Sequence, residues 1–298
     1  MYKNDLSGKR LLLVGGVGSA MDLITLARRN GVFIGVADYN KDTSVKRAAD
    51  AAYDINVTDV DAVVKLYRDE RFDGMISNFS DMLSPFVAEA AQRVGAYVPF
   101  TIEQLRMSTD KRYFKQVCRE YGVPVPMEYP ILSEADVGKV PVDYPVIVKP
   151  VDGSGSKGIS ICENEGELRA GIQKALATSR HGQMIVEQCI PHDEINVTYI
   201  AQDGDIQLAA IHDRYFNQEQ AGSVKVPDLY VYPSRYTDRY LECYNDAVIR
   251  MLKGIGVRNG SLFMQACVKD NQVYFYEAGM RLNGCKTYQI LEVENDYR

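Results

Sequence analysis

In the first hundred residues, short apolar runs alternate with amphipathic stretches, and this alternation restricts the fold more than any other feature. "RLLLVGG" reads as a buried strand, "SAMDLITLARRNG" as a helix and "VFIGVAD" as a second strand. "VDAVVKLYRDE" (helix), "FDGMISN" (strand), "SPFVAEAAQRVG" (helix) and "AYVPF" (short strand) continue the series. Strand and helix in strict alternation predict a parallel sheet with helices on both faces.

The pattern then changes. "STDKRYFKQVCREYG" predicts a helix capped by Ser108 or Thr109 and closed by Gly122. From Pro145 the order is strand, loop, strand, helix: "PVIVKP", "GISIC", "NEGELRAGIQKALATS", with a further strand in "MIVEQCI". "EINVTYIAQDGDIQLAAIHDR" predicts an antiparallel hairpin turned at Asp203-Gly204. The polar stretch from Tyr215 to Tyr236 reads as a long loop, and "RYLECYNDAVIRMLKGIG" as one long amphipathic helix. "GSLFMQACVKDNQVYFYEAG" closes as a second hairpin.

Hydrophobic residues make up 46% and charged residues 25% of the 298, ordinary values for a chain that buries a sizeable core. A net charge of -6 argues against a general nucleic-acid binder, which needs a basic stripe. The six cysteines include no C-x-x-C pair and only three histidines could join them, so neither a zinc site nor a disulfide framework is expected. No run is long enough for a signal peptide or a membrane span, and a cytoplasmic location is expected.

Two stretches carry anion-binding chemistry. "VGGVGSAMD" follows a strand and opens a helix, with Asp38 ending the next strand. It resembles a dinucleotide fingerprint, but Met21 stands where a third glycine is expected. A plain glycine turn, a substrate anion site and bound NAD are all open readings. In "PVIVKPVDGSGSKGIS", a strand ends on Lys149 and leads into Gly153-Ser154-Gly155-Ser156-Lys157-Gly158. A strand-end ammonium can point at phosphate oxygens, and a loop of small residues exposes backbone N–H groups to them. An exposed hairpin turn is the bland alternative. Lys111 precedes this stretch, "VEQCIPHDEINV" supplies Glu187 and Glu194, and "VYFYEAGMRLNG" supplies Glu277 and Arg281.

In this order and spacing the chain resembles the ATP-grasp superfamily, most closely the carbamoyl-phosphate synthase large-chain-like proteins and related carboxylate–amine ligases. The resemblance implies an α/β and α+β architecture: a Rossmann-like pre-ATP-grasp domain (1–107), a small lobe (108–186) and a large lobe (187–298). Many members continue further at the C-terminus, so the chain is expected to be truncated or a short form. The resemblance implies ATP and magnesium as cofactors. Lys111 and Lys149 match lysines that hold ATP phosphates, and 153–158 matches the flap over them. Glu187, Gln188 and Ile190 match the strand that meets adenine, the latter two through backbone groups. Glu194 matches the acceptor for ribose hydroxyls, Glu277 a magnesium ligand, and Arg281 the arginine near the transferred phosphoryl group. Lys225 is a candidate third phosphate lysine. The chemistry agrees: ATP brings roughly four negative charges that lysines and magnesium must offset, and phosphoryl transfer needs cations around the moving group.

The chain departs from the superfamily where Gln265 replaces a second acidic metal ligand and Gly279 replaces an asparagine. Asn283 is a candidate substitute. For Gln265 to reach the same ion as Glu277, the two must face each other. A three-residue loop, Asp270 to Gln272, or another of odd length, is expected and would pair them; a two-residue turn at Asp270-Asn271 would pair Met264 with Glu277 instead. The expected function is an ATP-dependent ligase for small-molecule carboxylate and amine substrates, with a homodimer left open. The alternatives are an ATP-binding protein with impaired catalysis and, less well supported, an NAD-dependent oxidoreductase.

Overall fold

The computed structural model describes residues 6–77, 79–153, 155–191, 193–216 and 227–294. They divide into two compact units, 1–105 with 280–290, and 106–279 with 291–298.

The first unit is built on β1 (Arg10–Val14), α1 (Met21–Arg29), β2 (Phe33–Asp38), α2 (Ser44–Ala48), β3 (Ala51–Asp54), α3 (Val60–Asp69), β4 (Gly74–Ile76) and α4 (Ser84–Val94). Its strands pair in parallel in the order β3-β2-β1-β4. Alternation along β1 sends Leu12 and Val14 into a core with Val63, Val64, Val87 and Ala91. It sends Leu13 to the opposite core with Ile24, Val36 and Val45. This is the doubly covered parallel sheet that the sequence predicts. "AYVPF" forms no strand; α5 (Ile102–Thr109) follows it.

The second unit opens with α6 (Lys111–Glu120). Its cap is Asp110, whose carboxylate accepts from the amides of Arg112 and Tyr113, and not Ser108 or Thr109. The strands β5 (Glu128–Tyr129), β6 (Val146–Pro150) and β7 (Ser160–Cys162), the helix α7 (Glu165–Thr178) and β8 (Met184–Gln188) come next. They form an antiparallel sheet in the order β5-β8-β6-β7. α7 covers it, packing Leu168, Ile172 and Ala175 on Val146, Val148 and Val186.

A larger antiparallel sheet contains β9 (Asp193–Gln202), β10 (Asp205–Tyr215) and β11 (Leu229–Val231). After α8 (Thr237–Cys243) and α9 (Asn245–Gly254) it is completed by β12 (Gly260–Lys269) and β13 (Gln272–Gly279), in the order β11-β10-β9-β12-β13. α10 (Thr287–Glu294) ends the described chain. The first hairpin turns at Asp203-Gly204 as expected. The single long helix does not form: Tyr244 leaves helical geometry and separates α8 from α9. The stretch read as a loop contains β11. One face of the large sheet rests on α8 and α9, where the Tyr199 hydroxyl meets that of Tyr240 at 2.8 Å and donates to Asn245 Oδ1 at 2.9 Å. Its other face carries polar side chains.

Candidate functional site

Strand alternation decides which side chains share that polar face. Cross-strand register places His212, Asn196, Gln265 and Glu277 in one row over β10, β9, β12 and β13. Arg214, Glu194 and Cys267 form the neighbouring row. Gln265 therefore stands opposite Glu277, but by a different route from the one expected. The turn has two residues, Asp270 (φ 51°) and Asn271 (φ 61°), and pairs Lys269 with Gln272. A β-bulge then inserts Tyr276 between the pairs Ala266–Phe275 and Gln265–Glu277. The extra residue restores the register that the short turn would have lost.

The bulge residue has its own contacts. The Tyr276 hydroxyl donates to Glu194 Oε2 at 2.8 Å, and Arg214 donates to the same oxygen at 2.8 Å and to the phenol at 2.9 Å. Glu194, expected to accept from ribose, is thus held by its own sheet. His212 is fully buried between Tyr230 and Tyr232, and burial, with help from the Arg214 charge, pushes its pKa down to about 3. Asn196 is 2% exposed, and neither its amide nitrogen nor its carbonyl oxygen has a hydrogen-bond partner among the described residues. Leaving such a group unpaired costs about 1–3 kcal/mol.

Lys149 is the penultimate residue of β6, and its ammonium lies 5.3 Å from the Tyr276 ring centroid. It forms an ion pair with Glu187, as does Lys115 from α6. Lys115 is 0%, Glu187 1% and Lys149 8% exposed, so three charges are buried together. Burial lowers the pKa of both lysines, and a neighbouring ammonium adds to this: Lys149 for Lys115, and Lys111 for Lys149. Glu277 and Glu194 oppose the shift at Lys149. Glu187, expected to face adenine, is instead the shared partner of two lysines. The sequence reading missed Lys115, although it lies one helical turn from Lys111 and beside the buried Phe114 and Cys118.

Lys111 donates its ammonium to the carbonyl of Gly153, at the base of the expected flap. Gly155, Ser156 and Lys157 are exposed, whereas Gly158 is packed so closely on Pro150 and Thr178 that a Cβ would lie 2.7 Å from each. Ser154 and Lys225 lie outside the described residues. The Gln188 amide is already committed to the Met127 carbonyl, at 2.9 Å, and Ile190 is buried.

The remaining expected groups belong to the first unit. Arg281 donates from Nε (2.8 Å) and Nη2 (2.5 Å) to Asp81 Oδ2. Asn283, the candidate substitute ligand, is not on a strand. It is bonded to Thr287 through both its amide nitrogen (2.6 Å) and its carbonyl oxygen (3.2 Å), which caps α10. In the opening glycine turn, Asp38 accepts from the amides of Gly16 (2.6 Å) and Asn40 (2.7 Å). A Cβ on Gly16 would lie 2.8 Å from the Thr43 hydroxyl. Asp38 thus ties down the turn through the Gly16 amide.

Among the described residues no group of three or more His, Cys, Asp or Glu could hold a metal. Glu277 and Gln265 instead offer oxygen donors, with the unpartnered carbonyl oxygen of Asn196 in the same row. That donor set fits a hard divalent cation such as magnesium and not zinc.

Residues 142–289 match the family model of the ATP-grasp domain. The chain is 26% identical over 214 residues to the ATP-grasp enzyme fsqD of Aspergillus fumigatus, covering 69% of this chain but only 36% of the fungal one. It is 25% identical over 284 residues to the formate-dependent phosphoribosylglycinamide formyltransferase of Burkholderia thailandensis, covering 92% of this chain and 69% of that protein. Among solved structures, the biotin carboxylase domain of Hydrogenobacter thermophilus 2-oxoglutarate carboxylase, determined with MgADP, superposes with a TM-score of 0.80 at 19% identity, over 96% of this chain and 66% of the other. N5-carboxyaminoimidazole synthetase of Staphylococcus aureus, determined with ADP, gives 0.78 at 19% identity over 96% and 74%. The chain carries an ATP-grasp domain, has the multi-domain ATP-grasp fold and belongs to the ATP-grasp superfamily.

Proposed function

We propose that the chain is an ATP-dependent ligase that activates a small carboxylate as an acyl phosphate for attack by an amine. The observation that carries this reading is Lys149 on the small sheet, brought over the polar face of the large one beside Tyr276 and under the influence of Glu277. A cation and an oxygen-donor row on two facing walls suit a polyphosphate with its metal.

In this reading the small sheet is the small lobe of the grasp and the large sheet the large lobe. Lys149 and Lys111 offset phosphate charge, and 153–158 covers the phosphates. Lys149 must leave Glu187 to do so; Lys115 then keeps the Glu187 carboxylate paired. Glu277 and Gln265 would hold magnesium, which when bound supplies positive charge to the phosphates. The substrate carboxylate oxygen attacks the terminal phosphorus and the bond to ADP breaks. The amine nitrogen then attacks the acyl carbon, phosphate leaves, and the nitrogen loses a proton. The formyltransferase relative, named for its formate dependence, supports a small carboxylate as first substrate.

A second reading, nucleotide binding with impaired catalysis, rests on Gly279. A Cβ there would lie 2.3 Å from ring carbons of Phe263, so the superfamily's asparagine would fit at that position only if Phe263 shifted. Titration with ATP, ADP and NAD, followed by ADP release across pools of carboxylates and amines, separates the readings. ATP and ADP should bind, and Lys149→Ala should weaken them by about 1.5–3 kcal/mol, the value of a charge-assisted hydrogen bond. Binding of NAD alone, or equal ATP affinity in the variant, would reject the ligase reading. Binding without ADP release from any pool would favour the second.

A further inference from the structure

We infer that Asn196 supplies the third protein oxygen of the metal site, in place of the residue that Gly279 cannot be. This rests on the ATP and magnesium reading above and extends it to a residue that the superfamily pattern does not mark.

Two independent observations lead to it. First, the ligand position at 279 is closed in this chain. Gly279 pairs with Phe263, whose ring carbons lie 2.3 Å from where a Cβ would stand. No side chain fits there unless Phe263 moves. Second, Asn196 flanks Gln265 on β9 as Glu277 flanks it on β13, so the three are consecutive in one row on one face. Asn196 is 2% exposed and both its amide heteroatoms are unpartnered among the described residues. A buried carboxamide with no partner on a face that carries a carboxylate and a second carboxamide is a prepared oxygen donor. One charged and two neutral oxygen ligands leave positions for phosphate oxygens and water, as magnesium in nucleotide sites requires.

The test measures metal binding directly. Manganese stands in for magnesium, and its affinity for the ADP complex is read by electron paramagnetic resonance. ADP affinity is measured separately by calorimetry with and without metal. Asn196→Ala should weaken manganese binding by ~10-fold or more, the scale seen when a ligand's support is removed. Metal-free ADP affinity should not change. Asn196→Asp adds a charge at the same place and should tighten manganese binding, which keeps the test decisive if the alanine variant folds poorly. Unchanged manganese affinity in both variants would overturn the inference. So would an equal loss of ADP affinity with and without metal, since Asn196 would then serve the phosphates. If the unmodified chain binds ADP but shows no metal dependence, only this inference falls; if it binds no nucleotide, the ligase reading falls with it.

Discussion

At the scale of single residues, the second unit buries charge in an unusual way. Glu187 lies between Lys115 and Lys149, with all three out of solvent. A buried ion pair contributes little net stability unless its geometry is good, but removing one member leaves an uncompensated charge. A triad with two cations and one anion is short of one negative charge, which a bound phosphate would provide. His212 gives a residue-scale prediction about pH. Burial sets its folded pKa at about 3, against 6.5 for the ordinary group. Between those values the unfolded chain binds a proton that the folded chain does not, so stability rises with pH across this window. Acidification from pH 6.5 should therefore cost up to about 1.4 kcal/mol per pH unit from this group alone. Denaturant titrations of the protein and of His212→Gln at several pH values isolate it. Equal pH slopes in the two proteins would show that His212 is not buried in its neutral form.

At the scale of elements, the β12–β13 hairpin shows how one residue controls a whole face. The two-residue turn by itself would set Met264 against Glu277 and send the carboxylate to the α8–α9 side. Tyr276, the bulge residue, shifts the register by one and brings Glu277 back beside Gln265. Deletion of Tyr276 also deletes the shift that it introduces. Phe275 would still face Ala266, and Glu277 would directly follow it opposite Gln265. The deletion variant is thus expected to retain the Gln265–Glu277 pair, seen as a cross-strand backbone contact by NMR. It should lose about 1–3 kcal/mol from the missing bonds to Glu194 and Arg214. A Met264–Glu277 contact in the variant would show that the register is set elsewhere than at the turn.

At the scale of the molecule, each unit has its own core. The first has two, one on each face of the parallel sheet, and the second has one under α7 and another under α8 and α9. Among the described residues no helix is long and apolar enough to cross a membrane. The nucleotide-binding residues proposed here fall in the second unit. Ligand binding stabilises the state that binds it, by about 2.7 kcal/mol at one hundred times the dissociation constant. Scanning calorimetry with and without MgADP, with transitions assigned by hydrogen exchange, should show that gain in residues 106–279. Protection confined to the first unit would move the nucleotide to the glycine turn and revive the dinucleotide reading.

The sequence by itself determined the parallel first sheet, because short continuous apolar runs, buried on both faces, alternate with segments of 3.6-residue hydrophobic period. It also determined the hairpin at Asp203-Gly204, whose residues accept positive φ, and the chemical types of the site residues. Contacts between distant segments were not legible. Nothing near Glu187 in the chain announces that Lys115 and Lys149 converge on it, since both arrive through packing of α6 and β6. Asn196 drew no notice because an asparagine in a strand is unremarkable until its partners are known to be missing. The break at Tyr244 and the strand β11 depend on tertiary packing that overrides local periodicity. The tertiary structure alone decided which residues share a face at the candidate metal site. A bulge adds one residue to the register without changing composition or hydrophobic pattern, so only the pairing of the folded strands reveals it.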